Sequence, residues 1–104
     1  MDVQNTIGGS LQISTDVLAK IARLAALEVG GVAEVTTGKP VTVALEDGVA
    51  AVTVQLTADY GQKIMPLCEK VQENVKQTIQ NMTGITVSRV DVLVVGLAQP
   101  EAED

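Results

Sequence analysis

Residues 41–60 read VTVALEDGVAAVTVQLTADY, and this stretch decides the fold. Val41, Val43 and Leu45 alternate with Thr42 and Ala44. After Glu46-Asp47-Gly48 the alternation resumes, with Val52, Val54, Leu56 and Ala58 set against Thr53, Gln55 and Thr57. A period of two sends one set of side chains to one face of a sheet. Asp-Gly between two such runs signals a hairpin, because a type I′ turn needs positive φ at both central residues. The spacing predicts a hairpin with one apolar face, and that face needs a cover.

Two stretches with helical spacing flank the hairpin and supply it. Upstream, Ser14-Thr15-Asp16 offers oxygens to the free N–H groups of a first turn. Val17, Leu18, Ile21, Leu24, Ala25 and Leu27 or Glu28 follow at helical spacing, with Lys20 and Arg23 on the other face, and Gly30-Gly31 ends the run. This predicts a helix over 15–29. Downstream, Tyr60-Gly61 turns the chain, and Pro66 fits only near a first turn, so a second helix starts between Gln62 and Met65. Leu67, Val71, Val75, Ile79 and Met82 form its apolar stripe, while Glu69, Lys70, Glu73, Lys76 and Gln80 lie mostly on the solvated side. Thr83-Gly84 ends it.

Shorter signals complete the order. Leu11 and Ile13 flank Gln12 in a brief strand-like stretch, and Val32 with Val35 can begin another before the turn Thr37–Pro40. A last strand runs from about Ile85 to Val95. Its inward parity switches between Val87 and Val90, which predicts a bulge or twist near Ser88-Arg89. The resulting fold class is α+β: a two-layer sandwich, two amphipathic helices on one face of a small antiparallel or mixed sheet, in the order β-α-β-β-α-β. Residues 1–9 read as a flexible arm, 10–97 as a single domain, and 98–104 as an acidic flexible tail.

Composition narrows the chemistry. The 104 residues include 17 Val but no His, Trp or Phe, a single Tyr and a single Cys. Common zinc sites and Ser-His or Cys-His nucleophile pairs cannot be assembled from such a chain, so the expectation is a non-enzyme with no cofactor and no metal. A net charge of -6, with its seven basic residues scattered, disfavours nucleic acid and direct attraction to an anionic membrane. No apolar run approaches the ~20 residues of a membrane-spanning helix, so direct insertion is not expected. One unpaired Cys and no secretory leader point to the cytoplasm. No small-molecule substrate is indicated.

Individual candidates mostly have structural explanations. Cys68 lacks a neighbouring base and reads as a small hydrophobe. Glu46, Asp47 and Asp59 lack the spacing of a calcium loop, and Asp47-Gly48 is explained by its turn. Gly30-Gly31 follows a helix, whereas phosphate loops precede one. Tyr60 reads first as a lid on the core and second as an exposed anchor for a partner. Leu93 and Val95 make the end of the last strand apolar on both faces; that second face is either covered by the domain or meets another chain. Leu93, Val95 and Tyr60 are thus the possible interaction surface.

An ordered set of residues also resembles a known family. Leu11-x-Ile13-Ser14, Val17, Ile21-Ala22 and Ala25-Ala26 lead into Glu28-Val29-x-Gly31-Val32. Tyr60-Gly61, Val71-Gln72, Val75 and Asn81-Met82-Thr83-Gly84 follow, then Val87, Val90-Asp91-Val92, Val94 and Gly96. In that order and spacing, over about residues 9–97, the chain resembles the alkaline shock protein family of Gram-positive and related bacteria. The resemblance implies a small bacterial cytoplasmic protein of stress response or cell-envelope homeostasis. It would act by self-association or through a membrane-anchored protein partner, which would hold it at the membrane's inner face. The resemblance to short members implies an alternative, a regulator of lipid metabolism binding an acyl-carboxylase or related enzyme. It brings no catalytic residues. The chain lacks the charged extensions of longer stress members and its Thr37–Pro40 connection is short, which weakens the expectation of strong stress induction and large assemblies.

Overall fold

The computed structural model describes residues 13–35 and 40–99. The hairpin forms as its alternation requires. Strands Val41–Glu46 (β2) and Val49–Asp59 (β3) pair antiparallel from Val41↔Val54 to Glu46↔Val49. Both turn residues have positive φ, 52° at Asp47 and 76° at Gly48.

β3 is the spine of a mixed sheet. Strand Val32–Val35 (β1) lies antiparallel to the end of β3, from Val32↔Ala58 to Val35↔Leu56. The Gln55 N–H donates to the Pro40 carbonyl at 2.8 Å, so β1, Pro40 and β2 run end to end along one edge of β3. Strand Thr86–Ala98 (β4) pairs along the other edge, parallel to β3, from Val49↔Thr86 to Asp59↔Ala98. A parallel neighbour demands a crossover of a dozen or more residues, and helix Ile64–Thr83 (α2) provides it. Among the described residues the order is therefore α-β-β-β-α-β, with helix Thr15–Leu27 (α1) first. The strand expected at Leu11–Ile13 falls largely outside those residues, and Ile13 itself is in neither helix nor strand. The strand at Val32–Val35 forms because β3 extends past β2 and leaves Leu56–Ala58 with ladder groups to satisfy.

Both helices cover the same face. Ser14 caps α1, its Oγ accepting from the Val17 N–H at 3.2 Å, and Gly84 ends α2 with φ 77°. The core joins Leu18, Ala22, Ala25 and Ala26 of α1 to Leu67, Val71, Val75 and Ile79 of α2. Both sets meet Ala50, Val52, Val54, Leu56 and Ala58 of β3, with Val87 and Val90 of β4. Among the described residues no polar or charged residue is buried.

Three expectations about the helices need correction. Val17 and Leu24 are exposed, at 47% and 60%, because α1 turns its alanines inward. Alanine lets the helices approach closely enough for the Asn74 side chain on α2 to donate to the Ala25 carbonyl at 2.7 Å. Met82 is 67% exposed: it keeps the azimuth of the stripe but stands in the last turn of α2, past Ile79, the helix's last core residue. Gln80, expected on the solvated side, is half-buried against β4.

Candidate functional site

β4 is an edge strand; among the described residues it pairs with β3 alone. Its two halves are finished differently. In the first, Val87 and Val90 point into the core, and α2 reaches over with two glutamines. Gln80 Oε1 accepts from the Val87 N–H and Gln72 Nε2 donates to the Val90 carbonyl, each at 3.1 Å. Of the bulge or twist expected there, the strand has a bulge: Ser88 is the extra residue between the Ala50↔Val87 and Ala51↔Arg89 pairs. Its hydroxyl donates to the Ala50 carbonyl at 3.2 Å. Arg89 and Asp91 form a surface ion pair at 2.7 Å.

Beyond Asp91 this support stops. Among the described residues no side chain hydrogen-bonds the strand from Val92 to Ala98. Leu93 pairs in register with Gln55, which lies on the face turned away from the helices. A second bulge separates Leu56↔Val94 from Thr57↔Gly96, and Val95 is its extra residue. Leu93 is 52% exposed, Val95 49% and Leu97 52%. Val92 and Val94 pack against the core, but the described residues leave Leu93, Val95 and Leu97 half uncovered. The strand runs through Ala98, past its expected end and into the stretch read as tail.

Tyr60 belongs to the same end of the sheet. Its N–H donates to the Ala98 carbonyl at 2.8 Å, and its side chain is 61% exposed. It is not a lid: the turn after Asp59 carries it beyond the last core residue of β3, Ala58. The fold thus brings Tyr60 to the end of the strand that bears Leu93 and Val95, and adds Leu97. Strict alternation would put Leu97 on the face of Leu93 and Val95, but the bulge at Val95 resets the parity: Leu97 pairs with Ala58, whose side chain is in the core, and so flanks the strand end from the other face. The one available signal was the unbroken apolar run from Val92 to Val95.

The other candidates stay apart. Glu46 and Asp47 lie at the hairpin turn and Asp59 at the opposite end of the 11-residue β3. Among the described residues no three His, Cys, Asp or Glu side chains gather as metal ligands would. Cys68 is half-buried on α2, and burial pushes its thiol pKa up, away from the thiolate. Gly31, with φ 105°, serves packing: a Cβ there would fall 2.6 Å from Gln62 Oε1. No helix of the described residues is long and apolar enough to cross a membrane. The arrangement offers an apolar, hydrogen-bond-competent strand end and no assembled acid, base or nucleophile.

The model of the alkaline shock protein 23 family, described as having a cell envelope-related function, matches residues 3–99. Among curated proteins, the uncharacterized protein YqhY of Bacillus subtilis (strain 168) is 33% identical over 112 residues. That alignment covers 93% of this chain and 83% of YqhY. Among solved structures, a triple-substituted MamM CTD superposes with a TM-score of 0.56 at 15% identity, over 83% of this chain and 95% of that one. A copper form of the MamM CTD gives 0.57 at 12% identity, over 85% and 100%. Likeness at such identity is a likeness of fold.

Proposed function

Because the chain belongs to the alkaline shock protein family, whose function is cell envelope-related, we propose that it serves the envelope as a protein-interaction module and not as a catalyst. The contact surface is the second half of β4 with Tyr60 beside its end, and the contact is either a second copy or a membrane-anchored protein. One observation carries this reading: Leu93, Val95 and Leu97 are half exposed on an edge strand whose backbone, over the same residues, receives no side-chain hydrogen bond from within the described domain.

Both features favour a protein partner. Apolar area removed from water contributes roughly 25 cal/mol per Å², and an open strand edge supplies backbone N–H and C=O groups to an incoming strand. Natural edges are usually blunted by charges, yet the charges of β4, Arg89 and Asp91, stand on its other half.

A double variant, Leu93→Glu with Val95→Glu, tests the reading. Both positions are exposed, so the fold is expected to survive, as read by circular dichroism. Self-association measured by light scattering, or capture of a membrane protein by the wild type, is expected to be lost. A wild-type protein that stays monomeric at high concentration and captures no membrane protein would remove the proposal.

A further inference from the structure

The sheet edge opposite β4 carries a groove of different character. It lies between α1 and β2, encloses about 350 Å³, and has Ala19, Pro40, Val41 and Val43 among its lining residues. Lys20 and Arg23 line its helix side, with Asp16 a turn before Lys20. Neither cation makes an ion pair among the described residues, where Arg89–Asp91 is the pair formed. Among the described residues β2 pairs with β3 alone and none hydrogen-bonds its outer backbone groups, the groups an added strand would take. Two unengaged cations beside an apolar lining and an open strand edge select an extended acidic segment.

The chain itself contains one. Pro100-Glu101-Ala102-Glu103-Asp104 comes two residues after the end of β4. We propose that the groove of one copy takes residues 100–104 of a second copy, laid along β2 with the Glu101 and Glu103 carboxylates against Lys20 and Arg23. The spacings agree: alternate residues of an extended segment share one side about 7 Å apart, and helical neighbours three apart lie about 5–6 Å from each other. Pro100 suits the first position of an edge strand. The inference rests on the self-association reading above and supplies its second surface.

The groove's own chain cannot donate the segment. Ala98 is level with Asp59, whereas Val41 and Val43 are level with Val54 and Val52, five to seven residues back along β3. At ~3.3 Å per residue along the strands and ~4.8 Å per strand across, Val41 and Val43 stand roughly 19–25 Å from Ala98, and Pro40, level with Gln55, roughly 16 Å. Glu101 and Glu103 follow Ala98 by three and five residues, and reach at most ~11 and ~18 Å, so Glu101 falls short of the whole lining and Glu103 reaches its near end alone. The donor is a second copy. Since donor and acceptor surfaces differ, the contact closes as a twofold pair when two copies exchange segments reciprocally, and builds rows or rings when they do not.

The test uses three full-length variants: groove-reversed (Lys20→Glu with Arg23→Glu), segment-reversed (Glu101→Lys with Glu103→Lys), and all four together. Wild-type assembly, measured by sedimentation, is expected to weaken as salt rises. Each double variant alone is expected to associate at least about tenfold more weakly. An equimolar mixture of the two, and the fourfold variant alone, are expected to recover. Circular dichroism checks that each remains folded. If the wild type assembles and neither double variant changes its assembly, the groove assignment is overturned while the β4 reading stands. If the double variants weaken but neither mixture nor fourfold variant recovers, the pairing of segment with groove is overturned. A strictly monomeric wild type overturns this inference; capture of a membrane protein through Leu93 and Val95 would still preserve the proposed function.

Discussion

Thr86–Asp91 and Val92–Ala98 belong to one strand and pair with one neighbour, yet only the first stretch is closed off. There, two buried valines, a bulge tied by Ser88 and two glutamines from α2 occupy the side chains and much of the backbone. The second stretch has Leu93, Val95 and Leu97 near half exposure and no such ties among the described residues. The difference shows that this fold has the means to finish an edge and applies them to half of it. An edge strand is an aggregation hazard, so an unfinished apolar half is better explained by a contact than by indifference.

The sharpest way to break the comparison is to truncate one valine in each half. Val87→Ala removes buried methyl groups and is expected to cost about 2–3 kcal/mol, lowering Tm by roughly 10 °C or more. Val95→Ala, at a half-exposed bulge, is expected to change stability by less than about 0.5 kcal/mol. Equal losses in thermal melts would mean that the two halves are not distinct. A middle-sized effect is expected from Gln72→Ala. It strips the Val90 carbonyl of its side-chain donor and should cost about 1 kcal/mol, while lengthening the open edge and strengthening association. Weaker association in that variant would show that Gln72 supports the contact instead of confining it.

The smallest effect concerns Cys68, one helical turn before Gln72 and so on the side of α2 toward its start. Burial raises its thiol pKa above the ordinary 9.0, favouring the protonated form in the folded state. That contribution to stability is fully present below about pH 9 and fades as pH rises through the higher folded value. Thiol alkylation is expected to be slow at neutral pH, with its rate rising only above the pH at which the unfolded protein reacts. Identical pH profiles for folded and unfolded protein would contradict this.

How far the sequence carried the fold depended on whether a signal was local. The hairpin was legible because alternation and Asp47-Gly48 specify face and turn within twenty residues. The α2 stripe was legible because Leu67, Val71, Val75 and Ile79 step by four. α1 was misread at Val17 and Leu24 because hydrophobicity alone ranks them above Ala22 and Ala26, whereas close helix packing selects the small residues. The end-to-end placement of β1 and β2 was not legible, since it follows from the length of β3. At the surface, Leu93 and Val95 stood out by parity, but Leu97 lay past the expected end of the strand, and the Val95 bulge, which no local signal places, turns it to the other face. Gln72 and Gln80 carry no local mark of their bonds to β4, because a polar helix residue looks alike whether it meets water or a strand edge.

Amide hydrogen exchange across β4, followed as protein concentration is raised and then as cell membranes are added, tests the central claim most directly. The account predicts added protection from Val92 to Ala98 under at least one of these conditions, with Thr86–Asp91 already protected and unchanged. Protection that never changes in Val92–Ala98, while association or capture is seen by other means, would place the contact elsewhere and contradict the account.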